Sequence, residues 1–181
     1  EDRNETPARY ARAIAYYRNA DIEKALPLVN GLIADDPDNP YFHELKGQML
    51  LENGRVDDSL VPYERMVELA PNEPLLRTAL GKAQVESGRA ELLQPALKNL
   101  RVAVRVDPQM RDAWRLLTIV NGRLGNQGDL ALSQAEYKLL SGDVKAALAL
   151  AERATKLLPT GAPGWLRAQD IVSEANRQLE R

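Results

Sequence analysis

Residues 40–47 read PYFHELKG. His43-Glu44 is how H-E-x-x-H begins, the helix motif in which two histidines four residues apart reach one zinc ion and the glutamate serves as general base. The place four beyond His43 holds Gly47, and the chain has one His and no Cys. A zinc site here would need carboxylates for every other ligand, so no metal and no cofactor is expected in this chain. A Ser/His/Asp relay would have to be built around the same single histidine, and no glycine-rich phosphate loop is present. No residue is therefore read as catalytic, and His43 is expected to be an exposed or half-buried helix residue. What needs explaining is Gly47, because glycine inside a helix costs about 1 kcal/mol relative to alanine.

The answer lies in the elements around it. Pro37 and Pro71, Pro40 and Pro74, Gly47 and Gly81, and Gly54 and Gly88 are each 34 residues apart. A fixed period of this size marks a helical repeat array. Each block runs proline, helix with a glycine in its middle, Asn/Ser-Gly-Arg, second helix, proline. The first block has Ala13 at the Gly47 place and Ala20-Asp21 at the turn. Proline at a helix start uses its fixed φ where no amide partner is needed. Gly54, Gly88 and Gly142 are expected in the left-handed conformation that ends a helix. Gly47 and Gly81 are explained by close helix contact, with the small residues Ala25, Ser59, Ala96 and Ala147 expected opposite on the second helices.

The register then slips. Pro71 to Pro108 is 37 residues, which places about three extra residues in the turn at 90–93. Pro108 to Pro159 is 51, or one period and a further half. Helices are expected near 110–124, 129–141, 144–158 and 163–180, about ten in all. Helix pairing after residue 124 stays open, although Ala135, Ala147 and Ala154 argue that a fresh repeat starts near 129 with a second helix missing before it. Pro95 falls near a helix start. Pro27 and Pro62 fall inside helices and predict local bends.

Composition agrees with a globular chain: 181 residues, 44% hydrophobic, 28% charged and a net charge of −2. That balance gives no electrostatic footprint for nucleic acid. No apolar run approaches the roughly 20 residues of a membrane span. Lys98, Arg101, Arg105, Arg111 and Arg115 form a basic run, which is either a solvated face or a surface for an acidic partner or phosphate.

A 34-residue helix–turn–helix unit with small residues at its eighth and twentieth places resembles the tetratricopeptide repeat. Leu69-Ala70-Pro71, Val106-Asp107-Pro108 and Leu157-Leu158-Pro159 match its closing pattern, and Trp114-x-x-Leu117 its opening. The resemblance implies an all-α solenoid of about ten helices in a right-handed superhelix. It divides a single domain 1–181 into repeats at about 6–39, 40–73 and 74–109, an irregular segment 110–127, a repeat 128–162 and a capping helix 163–181. It also implies a concave face lined by places two, five, nine and twelve of each first helix, where a protein or peptide partner docks. The expected groove residues are Tyr10, Ile14 and Tyr17, then Tyr41, Glu44, Gln48 and Leu51, then Leu75, Thr78 and Lys82, and Arg115. Two readings stand for each tyrosine, groove contact or packing between repeats, and Tyr16 is placed in the core. Places five and nine lack the Lys and Asn of repeats that grip chaperone tails, so a carboxylate clamp of that type is not expected.

Three longer phrases, ARYARAIAYYR (8–18), LIADDPDNPYFHELKGQMLLENGR (32–55) and LPTGAPGWLRAQDIV (158–172), resemble the C-terminal repeat region of bacterial periplasmic zinc metallopeptidases of the HtpX/BepA type. The resemblance implies a non-catalytic recruitment tail, with EDRNE as linker and zinc held only in an upstream peptidase domain. It implies a periplasmic location, outer-membrane protein quality control and docking of the tail on its own peptidase. The alternative is a free-standing scaffold or co-chaperone, cytoplasmic in that case.

Overall fold

The computed structural model describes residues 5–180. Of the expected EDRNE linker, residues 1–4 lie outside the described residues, as does residue 181, and Glu5 is the first residue of α1. The described residues form ten α-helices and one 3-10 turn, with no strand among them. They are α1 (Glu5–Arg18), α2 (Ile22–Asp35), α3 (Pro40–Glu52), α4 (Val56–Leu69), α5 (Pro74–Glu86), α6 (Leu93–Val106), α7 (Arg111–Leu124), α8 (Gln127–Leu140), α9 (Val144–Leu157) and α10 (Pro163–Leu179). The 3-10 turn covers Ala90–Leu92, where the lengthened period placed its extra residues.

The local chemistry accounts for the boundaries. Pro40, Pro74 and Pro163 each open a helix. Asn39 accepts the Tyr41 backbone N–H at 3.2 Å, capping α3. Gly54, Gly88, Gly125 and Gly142 have φ of 76°, 72°, 75° and 79°. At Gly54, Gly125 and Gly142 the next residue's N–H reaches back across the turn, from Arg55 to Leu50, Asn126 to Asn121 and Asp143 to Lys138. These six-to-one bonds satisfy the last carbonyls of the helix. Ala20 takes the same place in the first repeat at φ 58°, and Asp21 N–H bonds to Tyr16 in the same way. Pro95 is the third residue of α6, and α2 and α4 run as unbroken helices through Pro27 and Pro62.

The chain divides into two compact units, residues 1–87 and 88–181. In the first, each of α1 to α5 packs on its neighbours in sequence. Its core gathers Ala13, Ala25, Val29, Leu45 and Met49, with Ile14, Tyr17, Leu26 and Ile33 against them. In the second unit α6 packs on α7 and α7 on α8, while α8 and α9 form a hairpin and α10 lies against both. That last core is rich in alanine: Ala131, Ala135, Ala147, Ala151, Ala154 and Ala168 surround Ile171. Small side chains let these three backbones approach closely.

Two expectations about packing need correction. A Cβ built on Gly47 would lie 2.7 Å from Tyr63 Cδ1 and Cε1. Gly47 is therefore occupied by a large aromatic ring from α4, not matched to another small side chain. Tyr16 is on the surface, 36% exposed, with the Lys24 ammonium 5.5 Å from its ring centre.

Candidate functional site

His43 is buried, not exposed, and its Nε2 lies 2.9 Å from the carbonyl oxygen of Pro37. Six residues separate the pair. The same separation recurs at Arg77, whose Nε donates to Pro71 at 2.8 Å, and at Trp114, whose Nε1 donates to Pro108 at 2.9 Å. Three chemically different side chains at the fourth place of a first helix thus hold the loop before it. His43 is structural: it is a donor to a backbone carbonyl. Among the described residues no three of His, Cys, Asp and Glu gather as metal ligands do.

The polar surface of the first unit collects elsewhere. A cleft of about 220 Å³ is lined by Glu44, Gln48, Leu51 and Glu52 of α3, Tyr63 of α4, and Ala79 and Lys82 of α5. Four of the expected groove residues, Glu44, Gln48, Leu51 and Lys82, meet there. Spacing explains the three on α3, since places five, nine and twelve follow one stripe of a helix, and Lys82 joins them from α5. Beside this cleft the Tyr17 hydroxyl donates to the Glu52 carboxylate, which also accepts from Gln48 Nε2 at 2.9 Å. These two hydrogen bonds, Tyr17 first, hold the Glu52 carboxyl below the ordinary carboxylate range. Burial and the charge of Glu52 push the Tyr17 phenol up. Burial alone raises Glu44. Tyr63 is raised by burial and by the surrounding carboxylates of Glu44, Glu52 and Glu86. Lys82 is the cation on this wall, and its ammonium stands 3.8 Å from Glu86.

The other expected residues are placed differently. Tyr41 and Leu75 are exposed, at 58% and 69%, on the first turns of α3 and α5. Tyr10 is at the surface with its ring 6.2 Å from that of Phe42. Ile14 and Tyr17 are half-buried against the first core. Thr78 is buried, and its hydroxyl donates to Pro74 at 2.8 Å. Arg115 lies in the second unit, on the rim of another cleft. Sequence reasoning missed Glu52 and Tyr63 in the first cleft. A mid-helix glycine signals that something large crosses that helix, and Tyr63, sixteen residues on, is the aromatic that does.

The tetratricopeptide-repeat family model matches residues 10–74. Over 179 residues the chain is 23% identical to the beta-barrel assembly-enhancing protease of Yersinia pestis and 21% identical to that of Escherichia coli K12. These alignments take in 99% of the chain and 36% of each relative, so the chain spans about a third of the curated relatives it matches. Among solved structures, a MamA crystal structure superposes with a TM-score of 0.72 at 16% identity, covering 97% of this chain and 88% of that one. A MamA structure from Desulfovibrio magneticus RS-1 gives 0.70 at 14%, covering 97% and 95%. The chain is similar in fold to these proteins: all-α, of the tetratricopeptide-repeat kind. This fold supports a protein-interaction module, and no helix among the described residues is long and apolar enough to cross a membrane.

Proposed function

We propose that the chain is the non-catalytic C-terminal recruitment domain of a periplasmic zinc metallopeptidase, holding a polypeptide partner or substrate for a peptidase domain upstream. Zinc belongs to that upstream domain in this reading, and this chain holds no metal or cofactor. The observation that carries the interaction is the first-unit cleft, where Glu44, Gln48, Leu51 and Lys82 converge from two first helices whose first turns expose Tyr41 and Leu75. Tyr41 and Leu75 offer apolar area, and the cleft offers carboxylates and an amide that fix a segment's orientation. The likeness to the beta-barrel assembly-enhancing proteases supports the parent enzyme, the periplasmic location and work on outer-membrane proteins.

Photo-crosslinking tests the surface. A benzophenone side chain at Gln48 or Lys82 gives discrete adducts in cells, and one at Val61, exposed on α4, gives none. Equal adducts from all three positions, or none from the cleft, remove the proposal. The parent enzyme is tested by reading the coding sequence before Glu1. An H-E-x-x-H domain there supports it, and an initiation codon directly before Glu1 refutes it.

A further inference from the structure

A second cleft, of about 260 Å³, lies wholly within the second unit, on α7, α8 and α9. Its interior is formed by Ile119, Tyr137 and Leu150, with Thr118, whose hydroxyl is engaged by the Trp114 carbonyl at 3.1 Å. Its charged members are Arg115 of α7 and Lys138 of α8, and no lining residue is acidic. Each cation has one exposed carboxylate neighbour of its own. Arg115 Nε stands 3.9 Å from the Asp112 carboxylate. Lys138 pairs with Asp143 at 3.0 Å. Both pairs are exposed, and such pairs contribute about 0–1 kcal/mol, so an incoming carboxylate can replace them at little cost. The frame beneath is firm. Asn121 Nδ2 donates to Ser133 Oγ at 3.2 Å, and Ser133 Oγ donates to Asp129 O at 2.7 Å, joining α7 to α8 through buried groups.

We propose that this cleft binds an internal peptide segment in which one large apolar side chain stands between two acidic residues. The apolar side chain fills the space between Ile119, Tyr137 and Leu150. The two carboxylates meet Arg115 and Lys138. Two cations on separate helices call for two carboxylates, which an acidic segment carries and a neutral chain terminus does not. The cleft is distinct from the acidic cleft of the first unit and does not depend on the role proposed there.

The probes are N-acetylated, C-amidated Gly-Glu-Leu-Glu-Gly, the same peptide with Gln for both Glu, a neutral leucine-ended peptide with a free carboxylate, and decanoate. Backbone amide chemical shifts of the full chain report where each binds. The acidic peptide is expected to shift Thr118, Ile119, Tyr137 and Leu150, and the Gln peptide to bind about tenfold more weakly. In the Arg115→Glu, Lys138→Glu double variant, binding of the acidic peptide is lost and a Lys-flanked peptide binds instead, with the helical circular dichroism unchanged. Binding of the lysine peptide proves the variant folded. The proposal fails if the Glu and Gln peptides bind alike, if neither binds, or if the shifts fall on other residues. Equal or tighter binding of the leucine-ended acid or of decanoate also overturns it, by making the occupant a chain terminus or a lipid.

Discussion

Gly47 offers the sharpest test of the packing, because one added methyl group pits two opposite effects against each other. In Gly47→Ala the helix α3 gains intrinsic propensity worth about 1 kcal/mol. Against that, the new Cβ meets three ring atoms of Tyr63, at 2.7, 2.7 and 2.8 Å. Carbon atoms settle at about 3.5–4.0 Å, so the ring must retreat by roughly 1 Å. The nearest atoms include Cγ, close to the α4 backbone, and Tyr63 is only 3% exposed. The ring cannot swing aside, and α4 must move with it. Overpacking of this kind costs about 1–3 kcal/mol. With the upper end applying here, the net loss is about 2 kcal/mol, a fall in Tm of about 4–8 °C for a chain of this size. Gly122→Ala is the control: it is exposed in α7, and its nearest neighbour, Leu130 Cδ1, is 3.9 Å away. It should raise stability by up to about 1 kcal/mol. Thermal melts by circular dichroism compare the two, and Gly47→Ala with Tyr63→Leu should recover most of the loss. If Gly47→Ala melts as high as the parent, the ring does not occupy that place and the argument is wrong.

Three further outcomes follow from single sites. Ala20→Gly should stabilise by about 0.5–1 kcal/mol, since left-handed alanine costs about 1–2 kcal/mol and the glycine returns part of that through its freer unfolded chain; urea melts show it. Tyr17→Phe should cost about 1 kcal/mol, discounted because the pair is partly open to water. The Glu52 pKa is lowered in the fold, so this difference is present above its unfolded value and lost as pH falls through the folded one. The Tyr17 pKa is raised, so the difference is also lost as pH rises through that folded value. The difference between the two proteins therefore forms a plateau, about pH 5 to 10, in melts across pH. Arg167→Ala should cost about 3 kcal/mol, more than Glu136→Gln. It strands the 2%-exposed Glu136 carboxylate, now held by Arg167 Nε at 2.5 Å and Nη2 at 2.8 Å, whereas the half-exposed guanidinium can turn to water. Equal losses would contradict that assignment.

The periodic features were legible because they are local. Gly54, Gly88 and Gly142 declare positive φ by type, Pro40, Pro74 and Pro163 declare helix starts, and the 37-residue step located the 3-10 turn. Glu44, Gln48 and Leu51, three of the expected groove residues, line one cleft because a stripe of a single helix is a matter of spacing alone. What spacing could not give was the second layer. Tyr63 reaches the cleft from another helix, through room left by Gly47, and that depends on how deeply two helices seat. Tyr16 illustrates the converse. Its aromatic type suggested core, yet the helix phase turns it outward to Lys24. Glu136 was invisible for a third reason: nothing in its type announces a carboxylate buried opposite an arginine thirty-one residues on.

His43, Arg77 and Trp114 share one structural role at the fourth place of a first helix. At each of the three sites a loop carbonyl six residues back accepts one N–H, at 2.8–2.9 Å. That carbonyl lies in the short turn before the helix, and a hydrogen bond to it contributes about 0.5–1.5 kcal/mol net. Any side chain long enough to bring one N–H to that point meets the need, so imidazole, guanidinium and indole serve equally. It follows that exchanging these side chains should be tolerated far better than shortening them. His43→Gln should keep most of the stability and His43→Ala lose about 1 kcal/mol or more. If both variants fell alike in a denaturant melt, the ring's packing rather than its hydrogen bond would be what fixes this place, and the equivalence drawn among the three residues would be false.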